Sequence, residues 1–221
     1  MCGRFSLTLP SDAISQLFAA IPTNDLPVVP NFNICPTNQI HAITTIEQTR
    51  RLSAMRWGFL PHWYKSPTDG PLLINARAET IAEKPAFKSA ARTGRCLIPA
   101  TGFYEWTKDS EGRRLPWYIA RRDQSPLVFA GVWQVWDKGE DPLVTCAIVT
   151  CTANETLAKI HHRMPVILAE ADWPLWLGEA GHGAAKLMKA APEGELVFHR
   201  VSPEVNSNRA SGADLISVLE S

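Results

Sequence analysis

The chain has 221 residues, 22 basic against 22 acidic, and is 45 % apolar with 8 Trp and 8 Phe. That length fits one large domain or two small ones, and the apolar share supports a sizeable core. Balanced charge excludes nucleic-acid binding by overall charge, so any such site has to be a local patch; no apolar run approaches the ~18 residues of a membrane span, and no basic segment followed by an apolar core marks a secretory leader.

The elements follow in chain order. "SDAISQLFAAI" (11–21) spaces Ile14, Leu17, Phe18 and Ile21 as a helix does, with Ser11 or Asp12 as its cap. The Pro- and Asn-rich stretch 26–38 reads as irregular. "IHAITTI" (40–46) and "LSAMRWGF" (52–59) read as strands, the second with Met55, Trp57 and Phe59 on one face. Residues 60–71 form a loop, and "KPAFKSAA" (84–91) is a short helix candidate. "RCLIPATGFYEW" (95–106) reads as a strand bent at Pro99 and Gly102. "PWYIAR", "LVFAGVWQVW" and "LVTCAIVT" are β-rich runs. Thr152 and Glu155 form a capping box ahead of "TLAKIHH". "RMPVIL" (163–168) is strand-like, "ADWPLWLGEA" and "GAAKLMKAAP" are helical with Asp172 as cap and Pro174 in the first turn, "LVFHRVS" is a last strand, and an Asn- and Ser-rich tail covers about 206–221. No repeat or linker divides the chain, which gives an α+β class and one domain over 1–221.

Five cysteines, at 2, 35, 96, 146 and 151, form no CxxC pair and no metal framework. Reduced thiols in a cytoplasmic protein fit best, with Cys35, Cys96, Cys146 and Cys151 as buried small hydrophobes. Cys2 differs from the rest. With Met1 removed it carries an α-amine and a thiol on adjacent carbons, a unit no internal cysteine offers; taken alone, it reads first as an ordinary residue at a frayed terminus. Glu105 alone reads as a proton shuttle or as a strand-end carboxylate on a neighbouring N–H, and His161 as a donor to substrate or as a cap at a helix C-terminus. Asn75 reads as an orienting amide or as a plain strand residue. Trp63 and Tyr64 read as stacking platforms or as lids on a core.

Read together, "CGRF" (2–5), "NFNICPTN" (31–38), "LINARAET" (73–80), "GFYEW" (102–106) and "KIHHRMPVIL" (159–168) resemble the SRAP family, the SOS-response-associated peptidase-like proteins that crosslink to abasic DNA. The resemblance covers roughly residues 2 to 218. It implies a strongly curved, mostly antiparallel β core, open-barrel-like and flanked by short helices. It implies catalytic roles for Cys2, Asn75, Glu105 and His161, with His162 in the variable place. It implies DNA contacts at Arg4, Asn33, Pro36, Trp63, Tyr64, Arg77, Lys84 and Arg163; Tyr64 departs from the second tryptophan the family often carries there. Lys88, Arg92 and Arg95 lie near these motifs and read as phosphate clamps or as solvated surface charges.

The chemistry fits the residue types. An abasic sugar opens to an aldehyde, and an α-amine with a pKa of ~7.7–8.0 is partly neutral at pH 7, whereas lysine at ~10.4 is not. The amine forms an imine, and the neighbouring thiol closes a five-membered thiazolidine ring. Glu105 moves protons during these steps. The same imine permits β-elimination, so lyase and reversal activities accompany the reading. The implied partner is single-stranded DNA, or a single-strand/double-strand junction, bearing abasic sites, bound by a monomer without cofactor, metal or membrane. Two alternatives stand beside it: a cysteine peptidase, with Met1 removal as its own reaction, and a non-enzymatic reader of modified cytosine.

Overall fold

The structure, a computed structural model, describes residues 2–23 and 25–219. Met1, on whose removal the aminothiol reading depends, lies outside the described residues, as do Asn24 and residues 220–221. In chain order the elements are β1 (Phe5–Leu7), α1 (Ser11–Phe18), β2 (Ile21–Pro22), β3 (Asn31–Ile34), β4 (Gln39–Ile46), β5 (Thr49–Trp57) and β6 (Asn75–Arg77). There follow α2 (Ala90–Thr93), β7 (Arg95–Ala100), β8 (Gly102–Lys108), β9 (Arg114–Arg121), β10 (Leu127–Trp136) and β11 (Leu143–Thr152). The last are α3 (Glu155–Ala158), β12 (Arg163–Pro165), α4 (Trp173–Leu177) and β13 (Leu196–Arg200), with 3-10 turns at Pro203–Asn206 and Ala213–Ile216 near the end.

Two sheets carry the fold. The smaller runs β13-β9-β8-β1-β3; the larger runs β12-β11-β10-β7-β4-β5-β2, with β6 beside β11. Most pairings are antiparallel. The exceptions among the described strands are β2 and β11 on β5, and β6 on β11. β5 meets β11 over two residue pairs, Arg56 with Thr145 and Trp57 with Cys146, so the large sheet curls strongly without closing into a true barrel. This is the curved α+β architecture expected from the sequence. Phe5 joins the layers, its ring centroid 5.1 Å from Trp57 and 6.0 Å from Phe129. The chain start is therefore pinned in the core immediately after Cys2.

Several local expectations change. The helix at 11 stops at Phe18, because Ala19 takes a left-handed φ of 48° and caps it through its N–H to Gln16 O. Pro10 holds the cap position; the Ser11 hydroxyl turns to His41 Nε2, while Asp12 Oδ1 accepts from the Ala13 N–H in the first turn at 2.9 Å. The stretch 26–38 contains β3, since Asn31 and Ile34 pair with Leu7 and Phe5, a long-range partner invisible to local composition. Pro99 lies inside β7 opposite Val128, so the break falls at Thr101, where the chain leaves the large sheet for the small one. Gly102 is required there: a Cβ would sit 2.3 Å from the Tyr118 ring. Asn154, not Thr152, caps α3, accepting from Leu157 N at 2.9 Å, because Thr152 still belongs to β11. Residues 84–89 are turns ahead of the short α2. Asp172 precedes α4 without a side-chain cap, although Pro174 does sit in its first turn. Cys96, Cys146 and Cys151 are buried; Cys35 is only half-buried.

Candidate active site

Cys2 sits three residues before the Phe5 anchor and is fully buried. Asn75, at the start of β6, donates from Nδ2 to the Cys2 carbonyl at 2.9 Å. Its Oδ1 is buried with no hydrogen-bond partner among the described residues, so half of this amide is unused. Glu105, on β8 beside β1, is 4 % exposed. Burial pushes its carboxyl up to about 7. Burial first, then the nearby Glu105 carboxylate, raises the Cys2 thiol well above its ordinary value.

Two cavities reach this group, one at Glu105 and one at Asn75, and the buried Cys2 lines neither. One, of about 390 Å³, is lined by Gly3, Arg4, Pro36, Glu105, Trp106, Lys108, Arg114 and His161. The other, of about 490 Å³, is lined by Trp63, Asn75, Arg77, Lys84 and Phe87 among others. Of the residues singled out in the sequence, Arg4, Pro36, Glu105 and His161 thus share one cavity, and Trp63, Asn75, Arg77 and Lys84 the other. His161 follows α3. Its Nδ1 lies 3.0 Å from the Arg163 backbone N and 3.2 Å from the Arg163 carbonyl O, so the ring is held on the Arg163 backbone through Nδ1 in either tautomer. Burial lowers its pKa. His162 stacks on it, ring centroids 4.4 Å apart, and is exposed.

The remaining residues lie elsewhere or are already bonded. Asn33 is 6 % exposed; its Oδ1 accepts from Arg4 Nη1 at 2.6 Å, and its Nδ2 donates to Ser207 O and Ala210 O. It links Arg4 to the C-terminal segment and has no spare donor. Arg4 Nη1 also donates to Val205 O at 2.8 Å. Tyr64 is buried against Leu60 and Trp136, with its hydroxyl on Pro71 O, while neighbouring Trp63 is 47 % exposed. Arg163 is 8 % exposed and grips Glu79 through both Nη atoms, at 2.7 and 2.9 Å. Arg95 caps nearby carbonyls, those of Ala91, Arg92 and Trp176. Lys88 and Arg92 are exposed and Arg92 lines a separate cavity beside α4.

Sequence reasoning missed Lys108, Arg114 and Glu79. The first two face each other across the β8–β9 hairpin, and the Arg114 guanidinium lies 4.5 Å over the Trp106 ring. Counting the register back from the "DSEGRR" turn would have paired them. Glu79 was visible only as part of "NARAET". No group of three or more His, Cys, Asp or Glu able to hold a metal occurs among the described residues, and none of their helices is long and apolar enough to cross a membrane.

Comparison with known proteins supplies the remaining observations. The family model described as SOS response associated peptidase (SRAP) matches residues 1–208. "Abasic site processing protein YoqW" of Bacillus subtilis is 34 % identical over 223 residues, covering 98 % of this chain and 99 % of the relative. "Abasic site processing protein YoaM" of the same organism is 36 % identical, covering 98 % and 97 %. A crystal structure of a protein from Bacteroides thetaiotaomicron superposes with a TM-score of 0.86 at 22 % identity, covering 99 % of this chain and 100 % of that one.

Proposed function

This chain belongs to the SOS response associated peptidase (SRAP) family, and from that premise we propose that it processes abasic sites in single-stranded DNA by forming a covalent adduct through Cys2. The observation that carries the reading is the convergence on Cys2: Asn75 holds its carbonyl, and the buried Glu105 carboxyl lies close enough to raise its thiol. With Met1 gone, the Cys2 amine attacks C1′ of the open sugar to give a carbinolamine. Loss of water, with the proton supplied by Glu105, gives the iminium. The thiol then adds to C1′, its proton passes to Glu105, and the thiazolidine closes with one water released overall. A carboxyl poised at about 7 serves as donor and acceptor at neutral pH. His161, from the same cavity, hydrogen-bonds the opened sugar. Arg4, Arg77 and Lys84 meet backbone phosphates, Trp63 stacks on a base next to the lesion, and Asn33 and Pro36 support Arg4 and the cavity wall. Tyr64 holds the Trp63 loop from beneath.

The thiol's environment favours this over peptide hydrolysis. A cysteine peptidase needs a thiolate, and burial pushes the Cys2 thiol the other way. In the adduct route the neutral amine attacks first and no standing thiolate is needed.

The experiment mixes protein, shown by mass to begin at Cys2, with an abasic single-stranded oligonucleotide and resolves it on a denaturing gel. A slow-migrating species is expected, absent for Cys2→Ala. Cys2→Ser should yield only a hydrolysable imine. No heat-stable species from correctly processed wild type would end the proposal, and Cys2-dependent cleavage of a peptide in its place would restore the peptidase.

A further inference from the structure

The C-terminal segment, which reads in the sequence as an Asn- and Ser-rich tail, backs one wall of the Glu105 cavity. Val205 and Leu215 seat it against Tyr104 and Tyr118, and Val205 O accepts from Arg4 Nη1 at 2.8 Å. The next residue, Asn206, is exposed, yet both ends of its amide are engaged. Its Oδ1 accepts from Trp106 Nε1 at 2.6 Å, and its Nδ2 donates to Arg114 O at 3.4 Å. The Arg114 guanidinium in turn lies 4.5 Å over the Trp106 ring. One amide thus ties the tail to both strands of the β8–β9 hairpin, at two residues that line the cavity beside Glu105.

The sheet around Trp106 explains why such a tie is needed. β1 pairs with β8 only at Gly102 and Phe103, and bonds from that side reach on to Tyr104, whose N–H donates to Arg4 O. Opposite Trp106 on β9 is Pro116, which has no N–H and gives its carbonyl to Arg200 Nε and Val201 N, at 3.2 and 3.3 Å. The indole's one polar atom finds its partner in Asn206 instead. Trp106 in turn bears on Glu105. Burial raises the Glu105 carboxyl, and the Trp106 N–H bonded to it and the Arg114 charge draw it partly back down. Around that carboxyl stand Cys2 and Arg4 at β1, Lys108 and Arg114 on the hairpin, and His161 after α3.

Resting on the Cys2 reading above, we propose that Asn206 is a positioning residue for adduct formation: it latches the C-terminal turn to Trp106 and to the Arg114 strand, and so fixes the wall on which the Glu105 carboxyl is set. With Nε1 held and one face covered by Arg114, both side-chain torsions of Trp106 are set. Without the latch the hairpin is free to move off the turn, taking the Trp106 N–H and the Arg114 charge with it.

The test sets Asn206→Ala beside Asn206→Asp, which keeps the acceptor for Trp106 Nε1, and beside His199→Ala, which loosens the same tail at Ile216 O without touching the wall. Asn206→Ser, too short to reach the indole, replaces the alanine form should that not fold. Asn206→Ala should slow single-turnover adduct formation at saturating abasic single-stranded DNA about tenfold. Its Trp106 indole N–H, identified in ¹⁵N NMR by its loss in Trp106→Phe, should exchange with solvent faster than in wild type. Its Glu105 carboxyl, followed by ¹³C NMR without DNA, should titrate at higher pH. Asn206→Asp should keep the protected indole N–H and most of the rate. His199→Ala should lower the urea midpoint and leave both the rate and the Glu105 titration where they are. A wild-type rate or a wild-type Glu105 midpoint in Asn206→Ala overturns the latch, as does equal slowing by His199→Ala. If wild type forms no adduct, the proposed function falls, while the indole exchange and the Glu105 titration still decide the latch because they need no DNA.

Discussion

Glu105 holds a proton that an ordinary carboxylate would lose. Its folded value of about 7 stands above the usual 4.5 because of burial, so the folded chain binds that proton more tightly than the unfolded chain does. The associated stability is complete below pH ~4.5 and lost as pH rises through ~7. Glu105→Gln stays neutral throughout. Its melting temperature should gain on wild type between those two pH values and run parallel above them, as thermal scans across pH will check. Adduct formation by the same variant should fall by about 10²–10⁴-fold. Cys2, Asn75, Glu105 and His161 were legible as candidate residues because each sits in a short motif with local spacing. The inward turn of Arg163 was not, since its partner Glu79 is 84 residues away. Tyr64 beside Trp63 was equally opaque: adjacent loop aromatics look alike until Trp136 is brought over one of them.

At the scale of elements, two changes separate local capping from sheet packing. Asn154→Ala removes the α3 cap and its Nδ2 bond to Ala191 O, and should lower stability by about 1 kcal/mol, seen as a shifted urea midpoint at constant m. Gly102→Ala forces a methyl into the Tyr118 ring and toward Ile119 O. Overpacking of this kind costs about 1–3 kcal/mol, and displacing β9 from β8 should also slow adduct formation, because Glu105 rides on β8. Strands with strong periodicity, such as β4 and β5, were readable from sequence. β3 was not, because a four-residue strand amid Pro and Asn exists only through its pairing with β1. The end of α1 and the cap of α3 were set by neighbouring strands that compete for the same residues.

For the whole molecule, zero net charge means that under the proposed function DNA binding falls to the cations and Trp63 around the two cavities. Trp63→Ala should weaken single-stranded DNA affinity by about 1–3 kcal/mol, measured by fluorescence anisotropy at fixed salt. Tyr64→Phe, which removes only the bond to Pro71 O, should leave affinity unchanged. The α+β class followed from mixed periodicities along the chain. The division into two sheets did not, since it turns on a single residue, Thr101, at which one continuous apolar stretch changes partners.

β1 lies between β8 and β3, three residues beyond Cys2. Under the proposed linkage, a polymerase or helicase tugging on captured DNA would load that strand lengthwise, shearing its rungs together instead of peeling them singly. Single-molecule stretching of the adduct should then record one abrupt, high-force rupture of the small sheet, with no gradual unravelling from the leading end.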